Sequence, residues 1–180
     1  MSENNEHMIK LRIVNNTDET FMMVPFVIFE KMKTLFDMYQ DLAEMGHDNN
    51  CIDLPPNVTN EQTVNQVVSY YQQYLNCENL TEENLMEWET IFFNGIGGEV
   101  SSEMLTPLLT LANFLNCTSL LNKGCKYIAR NIIKNRSVEE LRKYFGMEND
   151  FSPEEEEAIK REFAWAIDDT TAATTAASTQ

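Results

Sequence analysis

Two histidines are the only side chains here whose ordinary pKa lies near neutrality. His7 stands in a polar opening stretch and His47 in an acidic run, and neither has a nucleophile or carboxylate at a spacing that builds an acid–base pair. Cys51, Cys77, Cys117 and Cys125 form no Cys-x-x-Cys pair and no metal-ligand spacing, so they read as small buried hydrophobes kept reduced. Asn94-Gly95-Ile96-Gly97-Gly98 would cradle a phosphate only between a strand and a helix, with Lys or Ser/Thr behind it. A helical pattern precedes it and Glu99 and Val100 follow, so it reads as a loop. Glu154 to Glu157 fall at a helix start, where the macrodipole favours carboxylates without any cation. No catalytic group, metal or cofactor is therefore expected.

The remaining chemistry is that of binding. Lys123, Lys126, Arg130 and Lys134 form a basic stripe on a helix whose other side carries Leu121, Cys125, Ile128 and Ile132. This stripe is either a face for a charged partner or a solvated face paired within the chain. Trp165 lies more than a quarter turn from the face of Ile159, Phe163 and Ala166, which suits an interface anchor, with folding back on the preceding helix as the alternative.

The elements that carry these residues follow from periodicity. Ile9, Leu11 and Ile13 alternate with Lys10 and Arg12, which predicts a half-buried strand over residues 8–14. The turn cluster 15–18 predicts a hairpin returning over residues 20–24. Pro25 opens one helix through Ile28, Met32, Leu35 and Tyr39, and residues 41–50 read as an acidic loop. A short strand at 51–54 stops at Pro55-Pro56. Val64, Val67, Val68 and Tyr71 mark a second helix, and Thr81 caps a third that buries Leu85, Trp88 and Phe92.

After residue 98 only helices are expected. Leu105, Leu108, Leu109, Ala112 and Leu115 form one face, with Pro107 confined to the first turn. Ser137-Val-Glu-Glu140 and Ser152-Pro-Glu-Glu155 are capping boxes that open two more helices. Two strands, a helix, a strand, a helix and then helices alone describe a small α+β domain with a helical extension.

Composition narrows the class. The chain has 180 residues, 43% of them hydrophobic, and a formal charge of −16. Such a polyanion repels nucleic-acid phosphates and anionic lipid, so neither is an expected partner. The start lacks a basic region followed by an apolar run, no apolar stretch is long enough to cross a bilayer, and the thiols suit a reducing compartment. The cytosol or nucleus is the expected location.

The C-terminal half resembles the S-phase kinase-associated protein family, the linker subunits of SCF-type ubiquitin ligases. The resemblance is carried by Leu111-Ala-Asn-Phe-Leu115, Leu120-Leu121, Cys125-Lys126, Ala129-Arg-Asn-Ile-Ile133 and Ser137-Val-Glu-Glu-Leu-Arg-Lys-Tyr-Phe145. It is strongest in Glu148-Asn-Asp-Phe-Ser-Pro-Glu-Glu-Glu-Glu157, followed by Glu162 and Trp165. The N-terminal half matches in layout, and the likeness spans roughly residues 8–167. Departures include Asn116-Cys-Thr-Ser119 where the family has Asp-Ile-Lys-Gly, and the added glycine-rich stretch with Pro107.

The resemblance implies a BTB/POZ-like domain over residues 8–121 and an F-box-binding helical extension over 122–167, while the polar start at 1–7 and the Thr/Ala-rich end at 168–180 are expected to be disordered from their composition alone. It implies an adaptor, not an enzyme, that bridges a cullin to F-box proteins. Asn113 and Phe114 would touch the cullin. Leu121, Cys125, Ile128, Ile132, Phe145, Phe151 and Trp165 would line the F-box groove. The alternative is a homodimeric BTB-like scaffold without cullin binding, and a homodimer of the chain free of its F-box partner is left open. An elongin-C-like adaptor fits less well, because the helical extension exceeds it.

Overall fold

Strand β1 (Met8–Val14) buries Ile9, Leu11 and Ile13 and leaves Lys10 and Arg12 half-buried, the two-residue period of a sheet with one face on a core. A computed structural model of the chain describes residues 7–14, 19–46, 51–55, 60–77, 81–98, 101–134 and 136–164. Strand β2 (Glu19–Pro25) pairs antiparallel with β1, setting Leu11 opposite Met22, and β3 (Cys51–Leu54) pairs parallel on the other side, setting Leu11 opposite Ile52. The order is β2-β1-β3. On the outer face Arg12 grips Asp53 with two hydrogen bonds, Nε to Oδ1 at 2.7 Å and Nη2 to Oδ2 at 2.5 Å. The expected turn at 15–18 lies outside the described residues.

The single helix expected after Pro25 is two. Helix α1 (Phe26–Phe29) ends in a tight turn, in which the Lys31 and Met32 amides donate to the carbonyls of Ile28 and Phe29. Helix α2 (Lys33–Glu44) then starts afresh. The cause is tertiary: the Thr34 amide donates to the Leu115 carbonyl at 3.2 Å and its hydroxyl to the Phe114 carbonyl at 2.8 Å. The start of α2 thus satisfies carbonyls that a helix end leaves without partners. Helix α2 also runs through residues 41–44, which the acidic composition marks as loop.

Helix α3 (Glu61–Asn76) buries Val64, Val67, Val68 and Tyr71 as the pattern predicts, and Tyr70 as well. Helix α4 (Glu82–Gly95) is capped by Thr81, but its buried face is rotated: Glu89 and Phe93 are buried, while Leu85, Trp88 and Phe92 are only half-buried. Helix α5 (Leu105–Phe114) holds Pro107 in its first turn and buries Leu105, Leu108, Leu111 and Ala112, with Leu109 half-exposed. Helix α6 (Thr118–Tyr127) continues without a break into a π-helical segment (Ile128–Ile133).

Both capping boxes form. Ser137 opens helix α7 (Val138–Phe145) and Ser152 opens helix α8 (Pro153–Glu162), each with its glutamate returned to the cap amide. Gly146 closes α7 with a left-handed φ of 64°, which costs a residue without Cβ nothing.

The chain divides into two compact units, Met1–Gly146 and Met147–Gln180. The first holds the sheet, α1 to α7 and the whole buried apolar cluster, from Ile9 to Tyr144. The second holds α8, of which no residue is buried. The architecture is α+β: a small three-stranded sheet packed with helices, then helices alone.

Candidate functional site

The α6 sequence and its continuation meet two surroundings. On one side Lys123, Lys126, Arg130 and Asn131 face α4 across a cleft of about 450 Å³, lined also by Glu82, Glu89 and Phe93. Lys123 Nζ lies 2.7 Å from Glu89 Oε1, an ion pair by distance though not aligned as a hydrogen bond. The basic stripe is thus partly consumed inside the chain, by α4.

The other side carries the apolar residues expected to dock a partner. Cys125 is exposed, and Leu121 and Ile128 are half-buried. Ile132, expected with them, is fully buried, and Ile133 is 50% exposed instead. The π segment is the reason. A π turn closes its hydrogen bonds over five residues rather than four and so admits one extra residue. Beyond Ile128 the side chains therefore rotate away from the α-helical count, carrying Ile132 into the core and Ile133 outward. Ile133 escapes a 3.6-residue reading, and no local sequence signal marks the change of pitch.

Helix α7 presents a second apolar edge. Its one buried residue, Tyr144, packs edge-on to Phe145 at 4.9 Å and 90°. The Arg136 guanidinium covers the Tyr144 ring at 4.7 Å, and burial raises the tyrosine's pKa against the opposing effect of Arg136. Phe145 itself is 37% exposed, and Val138 is exposed at the start of the helix.

In the second unit Phe151, Ile159 and Phe163 are all exposed. The Ser152 amide donates to Glu155 and holds that carboxyl below its ordinary pKa. Trp165 lies outside the described residues.

The residues expected to meet a cullin stand at the end of α5. Asn113 is exposed and Phe114 half-buried. Asn116 turns the chain with φ of 54°, a conformation that asparagine tolerates. Cys117 then enters the core, and burial pushes its thiol up to about 11. Cys51 and Cys125 are exposed rather than buried, a correction to their reading as core hydrophobes. Cys51 stands on the exposed face of β3, alternating with buried Ile52, and Cys125 on the exposed face of α6, so the face and not the apolar character of the residue decides their exposure.

Among the described residues, no group of three or more His, Cys, Asp or Glu side chains lies close enough to hold a metal, and no helix is long and apolar enough to cross a membrane. His7 packs against the Phe26 ring at 5.0 Å, and His47 lies outside the described residues. The glycine-rich stretch continues from helix α4, as its sequence context predicts, but Asn94 and Gly95 are still helical, a correction to their reading as loop, and only residues 96–98 turn away.

A family model described as "Skp1 family, dimerisation domain" matches residues 118–166. The chain is 33% identical over 165 residues to the "E3 ubiquitin ligase complex SCF subunit sconC" of Talaromyces stipitatus, covering 86% of this chain and 96% of that protein. The Aspergillus flavus protein of the same name is 35% identical over 151 residues, covering 78% of this chain and 86% of its own length. The Emericella nidulans protein is 32% identical over 169 residues, covering 88% and 98%.

Proposed function

The chain belongs to the Skp1 family, and from that premise we propose that it is a linker subunit of an SCF-type ubiquitin ligase that bridges a cullin to F-box proteins. It does so without chemistry of its own; ubiquitin transfer belongs to other subunits. The observation that carries this reading is the apolar surface left uncovered on α6 and α7: Cys125, Ile133, Val138 and Phe145 are all exposed, with Leu121 and Ile128 half-buried beside the first two in sequence. A helix presenting leucines or aromatics at i, i+3, i+4 and i+7 is the partner such a surface accepts. Phe151 and Trp165 of the second unit are assigned to the same partner. Asn113 and Phe114 are assigned to the cullin, because they stand at the end of a different helix, α5.

A pull-down with an F-box domain and with a cullin N-terminal domain tests the reading. Both should bind, and Asn113→Lys with Phe114→Lys should abolish cullin binding alone. Binding of neither overturns the proposal.

A second reading has support in the matched family model, whose description is a dimerisation domain. The same apolar surface would then be covered by a second copy when no F-box partner is present. Light scattering separates the two readings: a dimer that dissociates when an F-box domain is added fits the linker, and a dimer that persists fits a structural scaffold. Residence in the cytosol or nucleus goes with the linker reading and is supported by four free thiols in the chain.

A further inference from the structure

The glycine-rich stretch at residues 94–98 has a role in neither partner contact. Its backbone winds down the end of α4, with the Gly97 and Gly98 amides donating to the carbonyls of Asn94 and Phe93, both at 2.9 Å. Gly98 is buried, and a Cβ there would lie 2.7 Å from the Phe93 carbonyl oxygen and 3.2 Å from the Tyr127 ring. Only glycine fits so close to a fixed main-chain oxygen. Two tyrosines close over the loop. The Tyr127 hydroxyl hydrogen-bonds Asn94 Oδ1, and the Tyr144 hydroxyl donates to the Gly98 carbonyl at 2.5 Å. Tyr144 is gripped a second time through its backbone, whose carbonyl accepts from the Ser102 amide at 3.2 Å.

Tyr144 is the only buried residue of α7, and its two hydrogen bonds add to the packing of half-buried Leu141 against the core. The next residue is Phe145, whose ring stands edge-on against Tyr144. We propose that the 94–98 stretch is a seat that fixes α7, and that Gly98 and Tyr144 are positioning residues that set Phe145 for partner docking. The inference rests on the docking reading above. The loop's tight backbone provides the fixed acceptor, the tyrosine transmits it, and the exposed phenylalanine presents it. A loosened seat leaves α7 folded but wandering, and Phe145 with it.

The test uses the full chain, an F-box domain as probe, and four variants: Tyr144→Phe, Gly98→Ala, Phe145→Ala and the double variant Tyr144→Phe/Phe145→Ala. Tyr144→Phe keeps both ring contacts and deletes only the hydroxyl, so it stays folded even if Gly98→Ala does not. It should speed amide exchange in α7 and weaken F-box binding, each about fivefold, the worth of one hydrogen bond. In the Phe145→Ala background the Tyr144→Phe change should cost no further affinity, because the effect passes through Phe145. A merely structural loss would persist in that background, and persistence overturns the inference. Unchanged exchange and affinity in Tyr144→Phe also overturn it, with the docking reading intact. A wild-type chain that binds no F-box domain overturns the docking reading itself, and the inference with it.

Discussion

Ile132 and Ile133 are neighbours with opposite fates, one sealed in the core and the other half in solvent. Their substitutions should therefore separate. Ile132→Ala removes buried methyl groups and should cost about 3 kcal/mol of stability by denaturant unfolding. Ile133→Asp should leave stability within about 0.5 kcal/mol and weaken F-box binding at least about tenfold. The reverse pattern would restore the α-helical register. A second prediction concerns Asp53, whose hydrogen bond from Arg12 holds its carboxyl below the usual range. A depressed carboxyl adds stability above its unfolded pKa of about 4 and loses it as pH falls through the folded value. Solvent reaches both side chains, half-buried Arg12 and exposed Asp53, so the effect on stability is small, but Arg12→Ala should raise the Asp53 midpoint followed by NMR. At this scale the sequence was legible where the cause is local. Val64, Val67 and Val68 are buried as their spacing predicts, whereas Ile132 turns inward because the pitch change that begins at Ile128 decides its direction.

Elements divide along the same line. The capping boxes at Ser137 and Ser152 and the proline in the first turn of α8 were readable because each needs only its own four residues. The break between α1 and α2 was not, since its cause is Thr34 reaching the carbonyls of Phe114 and Leu115, eighty residues away in the first case. The rotated face of α4 is similar: Glu89 is drawn inward by Lys123, a partner no periodicity reveals. Helix α7 is short, eight residues with one of them buried, so its cap matters. Ser137→Ala should lower stability by about 1 kcal/mol, readable as a fall in the melting temperature, and speed amide exchange in α7. An unchanged melting curve would mean that tertiary contacts alone hold the helix.

At the level of the molecule, the fold class was legible and the docking surface only in part. Periodicity marks a residue as apolar on one face but does not say whether that face meets the chain's own core or someone else's helix. Leu121, Cys125, Ile128 and Ile132 looked equivalent in sequence, and only packing divided them. Because the apolar cluster lies wholly within Met1–Gly146 and α8 buries nothing, removal of residues 147–180 should leave the main unfolding transition in place while weakening F-box binding. Loss of the transition would make the second unit part of the fold.

The most direct measurement is a thiol footprint. Cys51 on β3 and Cys125 on α6 are both exposed, whereas Cys117 is buried with its thiol pushed up to about 11 and should stay unlabelled. With iodoacetamide at pH 8, the free chain, diluted until light scattering shows a monomer, should alkylate at Cys51 and Cys125. An added F-box domain should slow alkylation of Cys125 at least about tenfold, since a packed interface excludes the reagent along with water, and leave Cys51 unaffected. Equal labelling of Cys125 with and without the F-box domain, or protection of Cys51 in its place, would contradict a docking surface on α6.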